Sequence, residues 1–228
     1  MTPRDIILAS VRRSLGVTGA EAPRELEVAT RLAGHPPGVV PRRGQLPPAE
    51  RASLFVHMVE AAAGTAEWTP DPAGIPAAVA AFLRSLNLPL AIRHGDDPLL
   101  ASVPWQSAGT LEVRRGPSDG RDLAAVSHAF AGVAETGTLV LTSGADNPTT
   151  LNFLPDAHIV VVSASDVVSD FESAMERLRS RFGAGAMPRA INMVTGPSRS
   201  ADIEQTLILG AHGPRKLHVI VVGEPELS

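Results

Sequence analysis

Hydrophobic residues recur along this chain at spacings that separate helices from strands. Spacings of three and four residues are typical of amphipathic helices, and short β-branched runs are typical of strands buried on both faces. We predict helices over residues 2–15, 49–63, 75–86, 123–130, 165–182 and 201–209. We predict strands over residues 65–68, 88–92, 110–114, 139–142, 158–163, 191–195 and 217–222.

The order of these elements predicts the fold class. Strands alternate with helices, and two strands are almost wholly apolar, which is typical of an α/β sandwich of three layers with a largely parallel sheet. We expect this α/β domain to span residues 65–228, behind a helical, proline-rich N-terminal extension over residues 1–64. Six prolines fall between residues 16 and 48, so we expect an extended arm or a mobile segment there.

Composition and charge exclude several classes of function. The net charge is −4, so no basic surface for nucleic acid is expected. No apolar run approaches the roughly 20 residues that span a bilayer, and we expect a cytoplasmic protein without a membrane segment. Cysteine is absent, so the chain has no thiolate or cysteine-ligated iron–sulfur cluster. The sequence HGDDP at residues 94–98 is ordinary turn chemistry, and we predict neither a metal nor a cofactor.

The stretch over residues 191–213 carries the main candidate site. It predicts a buried strand, a sharp turn at residues 196–198 and a helix over residues 201–209. In open α/β sheets ligands bind beyond the carboxyl ends of the strands, which is where this turn is expected to lie. Gly196, Pro197 and Ser198 form this predicted turn.

Polar side chains crowd the predicted start of that helix. A helix N-terminus attracts anions, and Ser198, Ser200 and Arg199 add two hydroxyls and a cation. Asp202 and Glu204 already complement the helix dipole and would repel a free phosphate. A ligand site and a simple N-cap with dipole partners therefore both remain open.

Two further candidates lie outside that turn. Glu135 precedes Thr136, Gly137 and Thr138 at a predicted strand end, where a buried carboxylate could act as a nucleophile or general base. A solvent-facing turn residue is the alternative interpretation. His212 follows the predicted helix and either reaches the site or caps the helix carbonyls.

Four segments of the chain resemble the LUD-domain family. They are AETGTLVL at residues 134–141, FLPDAHIVVV at 153–162, TGPSRSADIE at 195–204 and GAHGPRKLHVIVV at 210–222. The resemblance covers residues 122–222. The residues that match the family motif by position are Glu135, Thr136, Gly137, Ser198, Asp202, Glu204, His212 and Gly213.

The resemblance implies both a fold and a function. It implies a fold similar to that of the sugar-phosphate isomerases and coenzyme A transferases. It also implies a subunit that binds a small anionic metabolite and supports oxidation of L-lactate to pyruvate, alongside iron–sulfur partner proteins. The alternative is a stand-alone isomerase or acyl-CoA transferase-like enzyme, acting on a sugar phosphate or a CoA ester, with Glu135 as the counterpart of the transferase carboxylate. Whether the chain is itself an enzyme stays open.

The candidate segments are predicted to be close in space. We expect Glu135, Ser198 and His212 to meet at one rim of one sheet and to leave a polar hollow there. The predicted site comprises Glu135 as the catalytic candidate and, as ligand-binding residues, Thr136, Gly137, Thr138, Gly196, Ser198, Arg199, Asp202, Glu204, His212 and Gly213.

Overall fold

The computed structural model describes residues 2–183, 185–200, 208–210 and 212–224. Within those ranges the chain forms seven α-helices: α1 Pro3–Leu15, α2 Ala22–Gly34, α3 Pro48–Ala61, α4 Ile75–Ser85, α5 Pro98–Ser102, α6 Thr149–Phe153 and α7 Phe171–Phe182. It forms twelve strands: β1 Thr65–Thr69, β2 Ala91–His94, β3 Glu112–Arg115, β4 Ala124–His128, β5 Ala131–Val133, β6 Thr138–Thr142, β7 Ala157–Ser163, β8 Val167–Val168, β9 Ile191–Val194, β10 Arg199–Ser200, β11 Ile208–Leu209 and β12 Lys216–Val222. No helix in these ranges is long and apolar enough to cross a membrane.

The chain divides into two compact units, Met1–Val39 and Val40–Ser228. The first unit holds α1 and α2, and neither helix buries a residue. The arm expected over residues 16–48 is wrong where α2 lies, because Pro23 falls in the first turn of that helix, where its missing N–H costs nothing. The domain boundary that we expect at residue 64 stays a prediction.

The larger unit is built on a six-stranded sheet with the order β1-β12-β7-β4-β2-β3. Every pair of neighbouring strands in it is parallel. The predicted α/β class, with a largely parallel sheet, flanking helices and helices at the N-terminus, is therefore confirmed. The central strand β7 is buried along six of its seven residues, as the run HIVVVS predicts.

A second sheet, which the hydrophobic pattern does not predict, has the order β8-β5-β6-β9. Its strands β5 and β6 form an antiparallel pair through the turn at Thr136 and Gly137, and β9 is antiparallel to β6. The strand expected at residues 191–195 thus exists, but it lies outside the parallel sheet, and the expected burial is wrong because none of its four residues is buried.

Side-chain alternation on the main sheet separates two hydrophobic cores. Ile159 and Val161 pack on the face that α4 covers. Val160 and Val162 pack on the opposite face, against α3 and the second sheet. On the far side of the second sheet, α7 buries Leu178 against β5 and β6. Helix α3 is therefore part of the core of the larger unit.

Two predicted helices are wrong in whole or in part. Residues 124–128 form β4, because this run is buried between β2 and β7 and tertiary pairing overrides its helical spacing. The helix expected from residue 165 begins only at Phe171. Asp170 caps α7 by accepting the N–H of Ser173, and Val167–Val168 pairs with β5 instead.

Candidate functional site

A cavity of about 410 Å³ opens where the chain leaves β9, and we call it the strand-exit cavity. Residues 195–199 and 212–214 form one wall. His158 and Leu217, each the second residue of its strand, place the cavity at the amino ends of β7 and β12. The expected position at the carboxyl edge of the parallel sheet is therefore wrong, because β9 belongs to the second sheet.

Ser198 joins two segments of this wall that are distant in sequence. Its N–H donates to the carbonyl of Pro214 at 2.9 Å, and its carbonyl accepts the N–H of Gly210 at 2.9 Å. A Cβ on Gly213 would come within 3.3 Å of the Ser198 Cβ, so the two backbones approach closely. The structure thus brings Gly196, Ser198, Arg199, His212 and Gly213 together around one cavity.

The exit of β9 is fixed against the end of α3. Gly196 has φ +72°, and a Cβ at this position would lie 2.2 Å from the carbonyl oxygen of Ala62. Only glycine satisfies both conditions without strain. The guanidinium of Arg199 donates a hydrogen bond to the same carbonyl, which holds this cation at the cavity rim.

The predicted helix over residues 201–209 is wrong at its end. Ile208–Leu209 forms a strand that pairs antiparallel with Arg199–Ser200. The cation of Arg199 therefore reaches the cavity from a strand. Residues 201–207, and with them Asp202 and Glu204, lie outside the described residues.

Three buried side chains at the cavity wall are connected by hydrogen bonds. The hydroxyl of Ser127 donates to Oδ1 of Asn152 at 3.1 Å, and Nε2 of His158 lies 3.0 Å from the same hydroxyl. Asn152 and His158 both line the cavity and are 1% and 0% exposed. Burial lowers the pKa of His158 to about 4, so its ring is neutral near pH 7.

These hydrogen bonds determine which donor and acceptor atoms are left without a partner and can bind a ligand. Because the Ser127 hydroxyl gives its hydrogen to Asn152, it must accept one from Nε2 of His158, which leaves Nδ1 as an unprotonated acceptor. Nδ1 of His158 and Nδ2 of Asn152 have no hydrogen-bond partner in the described part of the protein. The cavity wall therefore contains one unused acceptor and one unused donor.

Asn152 and His158 are not among the site residues predicted from the sequence. The available signal is a polar residue inside an apolar run, since His158 opens the strand HIVVVS. Such a residue is more often a satisfied core histidine than a ligand-binding group. Only the structure shows that one ring nitrogen is left without a partner among the described residues.

Glu135 lies elsewhere, at the start of α7. Its Oε1 accepts the N–H of Phe171 at 3.3 Å, and its own N–H donates to the carbonyl of Ser169 at 3.2 Å. The side chain is buried under Gly44 and is not among the residues that line the strand-exit cavity. This geometry matches a partner for the positive end of a helix.

Thr136 and Thr138 connect indirectly to the cavity. Their hydroxyls lie 2.7 Å apart, and the Thr138 hydroxyl lies 2.7 Å from that of Thr195, which lines the cavity. Gly137, at φ +67°, sits in the turn against the backbone of α3, where a Cβ would come within 2.5 Å of the Val59 nitrogen. Thr136 and Thr138 are therefore connected to the cavity wall through Thr195, and Gly137 packs against α3.

Several groups that line the strand-exit cavity are able to interact with a small anion. Arg199 supplies a fixed positive charge, and His212 is exposed beside it. The amide of Asn152 can donate to a carboxylate oxygen, while Nδ1 of His158 can accept from a hydroxyl group. A carboxylate with a neighbouring hydroxyl would use all of these groups.

Comparisons with known proteins agree on the family. A sequence model of the LUD domain matches residues 123–222. The chain is 42% identical over 121 residues to lactate utilization protein C of Geobacillus thermodenitrificans, which covers 52% of the chain and 49% of that protein. It is 40% identical over 93 residues to lactate utilization protein C of Bacillus subtilis, covering 40% and 39%.

Two further relatives extend the match toward the N-terminus. An uncharacterized protein of Neisseria meningitidis serogroup B is 32% identical over 151 residues, which is 64% of each chain. The crystal structure of a DUF162 family protein from Deinococcus radiodurans is similar with a TM-score of 0.57 and 25% identity, covering 78% of this chain and 99% of that one. The chain spans less than two thirds of the length of each of these three sequence relatives. Through residues 123–222, the chain is therefore similar to the LUD-domain family.

Proposed function

We propose that this chain is a lactate-utilisation subunit that binds a small 2-hydroxy or 2-oxo carboxylate, such as L-lactate or pyruvate, in the strand-exit cavity. The observation that carries the proposal is the unused pair in the cavity wall, an Asn152 donor and a His158 acceptor, beside the cation of Arg199. The names of the relatives that are lactate utilization protein C support the metabolite class.

The carboxylate is held at the rim in this proposal. The guanidinium of Arg199 and the amide of Asn152 donate to its oxygens, since hydrogen bonds to charged groups are the stronger ones. The 2-hydroxyl of L-lactate donates to Nδ1 of His158, whereas the 2-oxo oxygen of pyruvate accepts from the amide of Asn152. Because burial keeps that ring neutral by lowering its pKa, Nδ1 is available as an acceptor near pH 7.

Electron transfer belongs to other proteins in this proposal. These 228 residues include no cysteine and so supply no cysteine ligand to an iron–sulfur cluster. We expect cytoplasmic iron–sulfur subunits to bind this chain and to complete the oxidation of lactate. Co-purification of such subunits with the tagged chain is the expected result, and turnover of lactate by the chain alone with an artificial acceptor contradicts this division.

Thermal unfolding in the presence of defined acids tests the binding proposal. L-lactate and pyruvate should raise the melting temperature, because a ligand that binds only the native state stabilises it by mass action. Propionate, which lacks the second oxygen function, should raise it less. Arg199→Gln should remove the shift, while Arg189→Gln, an exposed arginine just before β9, should keep it. Equal shifts in both variants, or no shift with either acid, contradict the proposal.

A further inference from the structure

A second cavity, of about 290 Å³, lies at the opposite edge of the main sheet. His128 is the last residue of β4, and Asp97 follows the end of β2, the parallel neighbour of β4. The cavity is thus at the carboxyl ends of these strands, where open α/β sheets bind ligands. We call it the carboxyl-edge cavity. The strand-exit cavity is at the amino ends of β7 and β12.

Asp97 and His128 form a hydrogen-bonded pair in this cavity. Nδ1 of His128 lies 3.0 Å from Oδ2 of Asp97, whose Oδ1 accepts the N–H of Leu100. Burial opposes ionisation of Asp97, but the hydrogen bonds from His128 and Leu100 outweigh it, and the pKa of this carboxyl lies below its ordinary value. A carboxylate only accepts, so Nδ1 of His128 carries a hydrogen, and Nε2 is the acceptor in the form of the ring that has a single hydrogen.

Four other charged side chains line the cavity, and two of them form an ion pair with each other. Asp166 forms an ion pair with Arg177, whose guanidinium also lies over the ring of Phe130 at 5.2 Å. Asp146 and Arg181 line the same cavity, and neither has an ion-pair partner in the described chain. A ligand is therefore offered the Asp146 carboxylate, of which Oδ1 accepts the N–H of Asn147, and the Arg181 guanidinium, which lies over the ring of Phe182 at 5.6 Å.

Two buried acceptors in this cavity also lack partners. Asn147 is 4% exposed, and its amide donates to the carbonyl of Thr142 at 3.3 Å, which leaves Oδ1 unused. Nε2 of His128 is likewise without a hydrogen-bond partner among the described residues. Buried acceptors without partners are uncommon in folded proteins and point to a ligand or an ordered water.

We infer that the carboxyl-edge cavity binds a zwitterionic amino acid. The ammonium group donates to Nε2 of His128, Oδ1 of Asn147 and the carboxylate of Asp146, and the α-carboxylate binds Arg181. Three acceptors match the three N–H bonds of an ammonium, whereas the hydroxyl of a 2-hydroxy acid supplies only one hydrogen. The cavity volume is near the lower end for small-molecule sites, which suits a ligand of this size.

Calorimetric titration with a matched set of ligands tests this site. The panel contains L-alanine, L-serine and L-glutamate, together with ethylamine, which is alanine without the carboxylate. L-lactate, the analogue without the ammonium, is titrated into Arg199→Gln, in which the strand-exit cavity is not expected to bind it. We expect at least one amino acid to bind, and Arg181→Gln to raise its Kd about tenfold or more. Asp146→Asn should weaken it similarly. Both side chains are exposed or at the rim, so these variants should fold.

Two control variants distinguish this cavity from the rest of the protein surface and from the strand-exit cavity. Arg179→Gln removes the same charge from the same helix, but Arg179 does not line the cavity. The Kd of this variant for the amino acid should therefore stay within about twofold of the parent value. Arg199→Gln should leave amino-acid binding intact even where it abolishes the response to L-lactate. The inference is overturned if none of the three amino acids binds, or if Arg181→Gln and Arg179→Gln bind them equally.

Discussion

The ring of His158 gives the clearest residue-scale prediction. Its pKa is lowered by burial from 6.5 to about 4 in the folded protein. The unfolded chain therefore binds more protons between these pH values, and the free energy of unfolding falls as the pH drops through this window. The full difference corresponds to about 3 kcal/mol, and this contribution is present in full above pH 6.5.

Urea denaturation at a series of pH values measures this effect. The buried rings of His94 and His218, whose pKa values are also lowered mainly by burial, contribute in the same direction. The difference in the free energy of unfolding between the parent protein and His158→Gln gives the contribution of the His158 ring alone. The variant should lose less stability between pH 6.5 and pH 4, and parallel pH profiles for the two proteins contradict the assignment.

Gly196 allows a second residue-scale prediction with a matched control. Gly196→Ala combines a positive φ with a clash against the Ala62 carbonyl, while Gly185 has φ +75° and open space around it. Gly185→Ala should cost about 1 kcal/mol of strain, and Gly196→Ala about 2 kcal/mol more. Chemical denaturation measures both. Equal losses would show that the close approach to α3 is not tight.

At the scale of elements, the N-terminus of α7 depends on two carboxylates. Asp170 caps the helix, and Glu135 accepts the N–H of Phe171. Glu135→Gln keeps the shape and an acceptor oxygen but removes a charge near the helix dipole, so we expect a loss of about 1 kcal/mol. Thermal or urea unfolding of the variant measures it.

The same variant tests whether Glu135 acts on a ligand. Since this side chain does not line the strand-exit cavity, the affinity of Glu135→Gln for L-lactate should equal that of the parent protein. If a variant that still unfolds cooperatively loses binding, Glu135 contributes to the ligand site after all.

The elements that can be predicted are those whose local pattern agrees with their burial. The run HIVVVS predicts β7, and regular apolar spacing predicts α3 and α4. Residues 124–128 could not be predicted, because their strand conformation comes from pairing with distant β2 and β7. Pro23 indicates a break in regular structure, although in the first turn of a helix it is favourable.

The candidate site is predicted in part for the same reason. The motif around Ser198 and that around His212 do line one cavity, as expected from their polar, glycine-rich segments. The edge of the main sheet at which the cavity lies could not be predicted, because it depends on the pairing of β9 with the second sheet. Asn152 and His158 were missed because an unused hydrogen-bonding atom is visible only in three dimensions.

At the scale of the whole molecule, the two compact units lead to a prediction about folding. Neither α1 nor α2 buries a residue, whereas α3 places Phe55 and Val59 in the core of the larger unit. A chain that begins at Val40 should therefore unfold cooperatively, with a melting temperature within a few degrees of the parent value. A chain that begins after α3 should fail to fold, because it loses that core face. Calorimetry of both truncated chains checks this prediction.

The larger unit places two cavities at opposite edges of one parallel sheet. One lies at the amino ends of β7 and β12 and is proposed to take a hydroxy or oxo acid. The other lies at the carboxyl ends of β2 and β4 and is proposed to take an amino acid. Lactate and alanine are nearly the same shape, so their separation depends on the hydrogen-bonding groups of each cavity.

Nitrogen-15 NMR of the histidine rings during a titration with L-lactate is the decisive measurement for binding in the strand-exit cavity. We expect His158 to be neutral with its hydrogen on Nε2, and its Nδ1 resonance to move as lactate binds, while the ring of His94 stays unchanged. A hydrogen on Nδ1, or a His158 spectrum that does not respond to saturating lactate, would contradict the proposal.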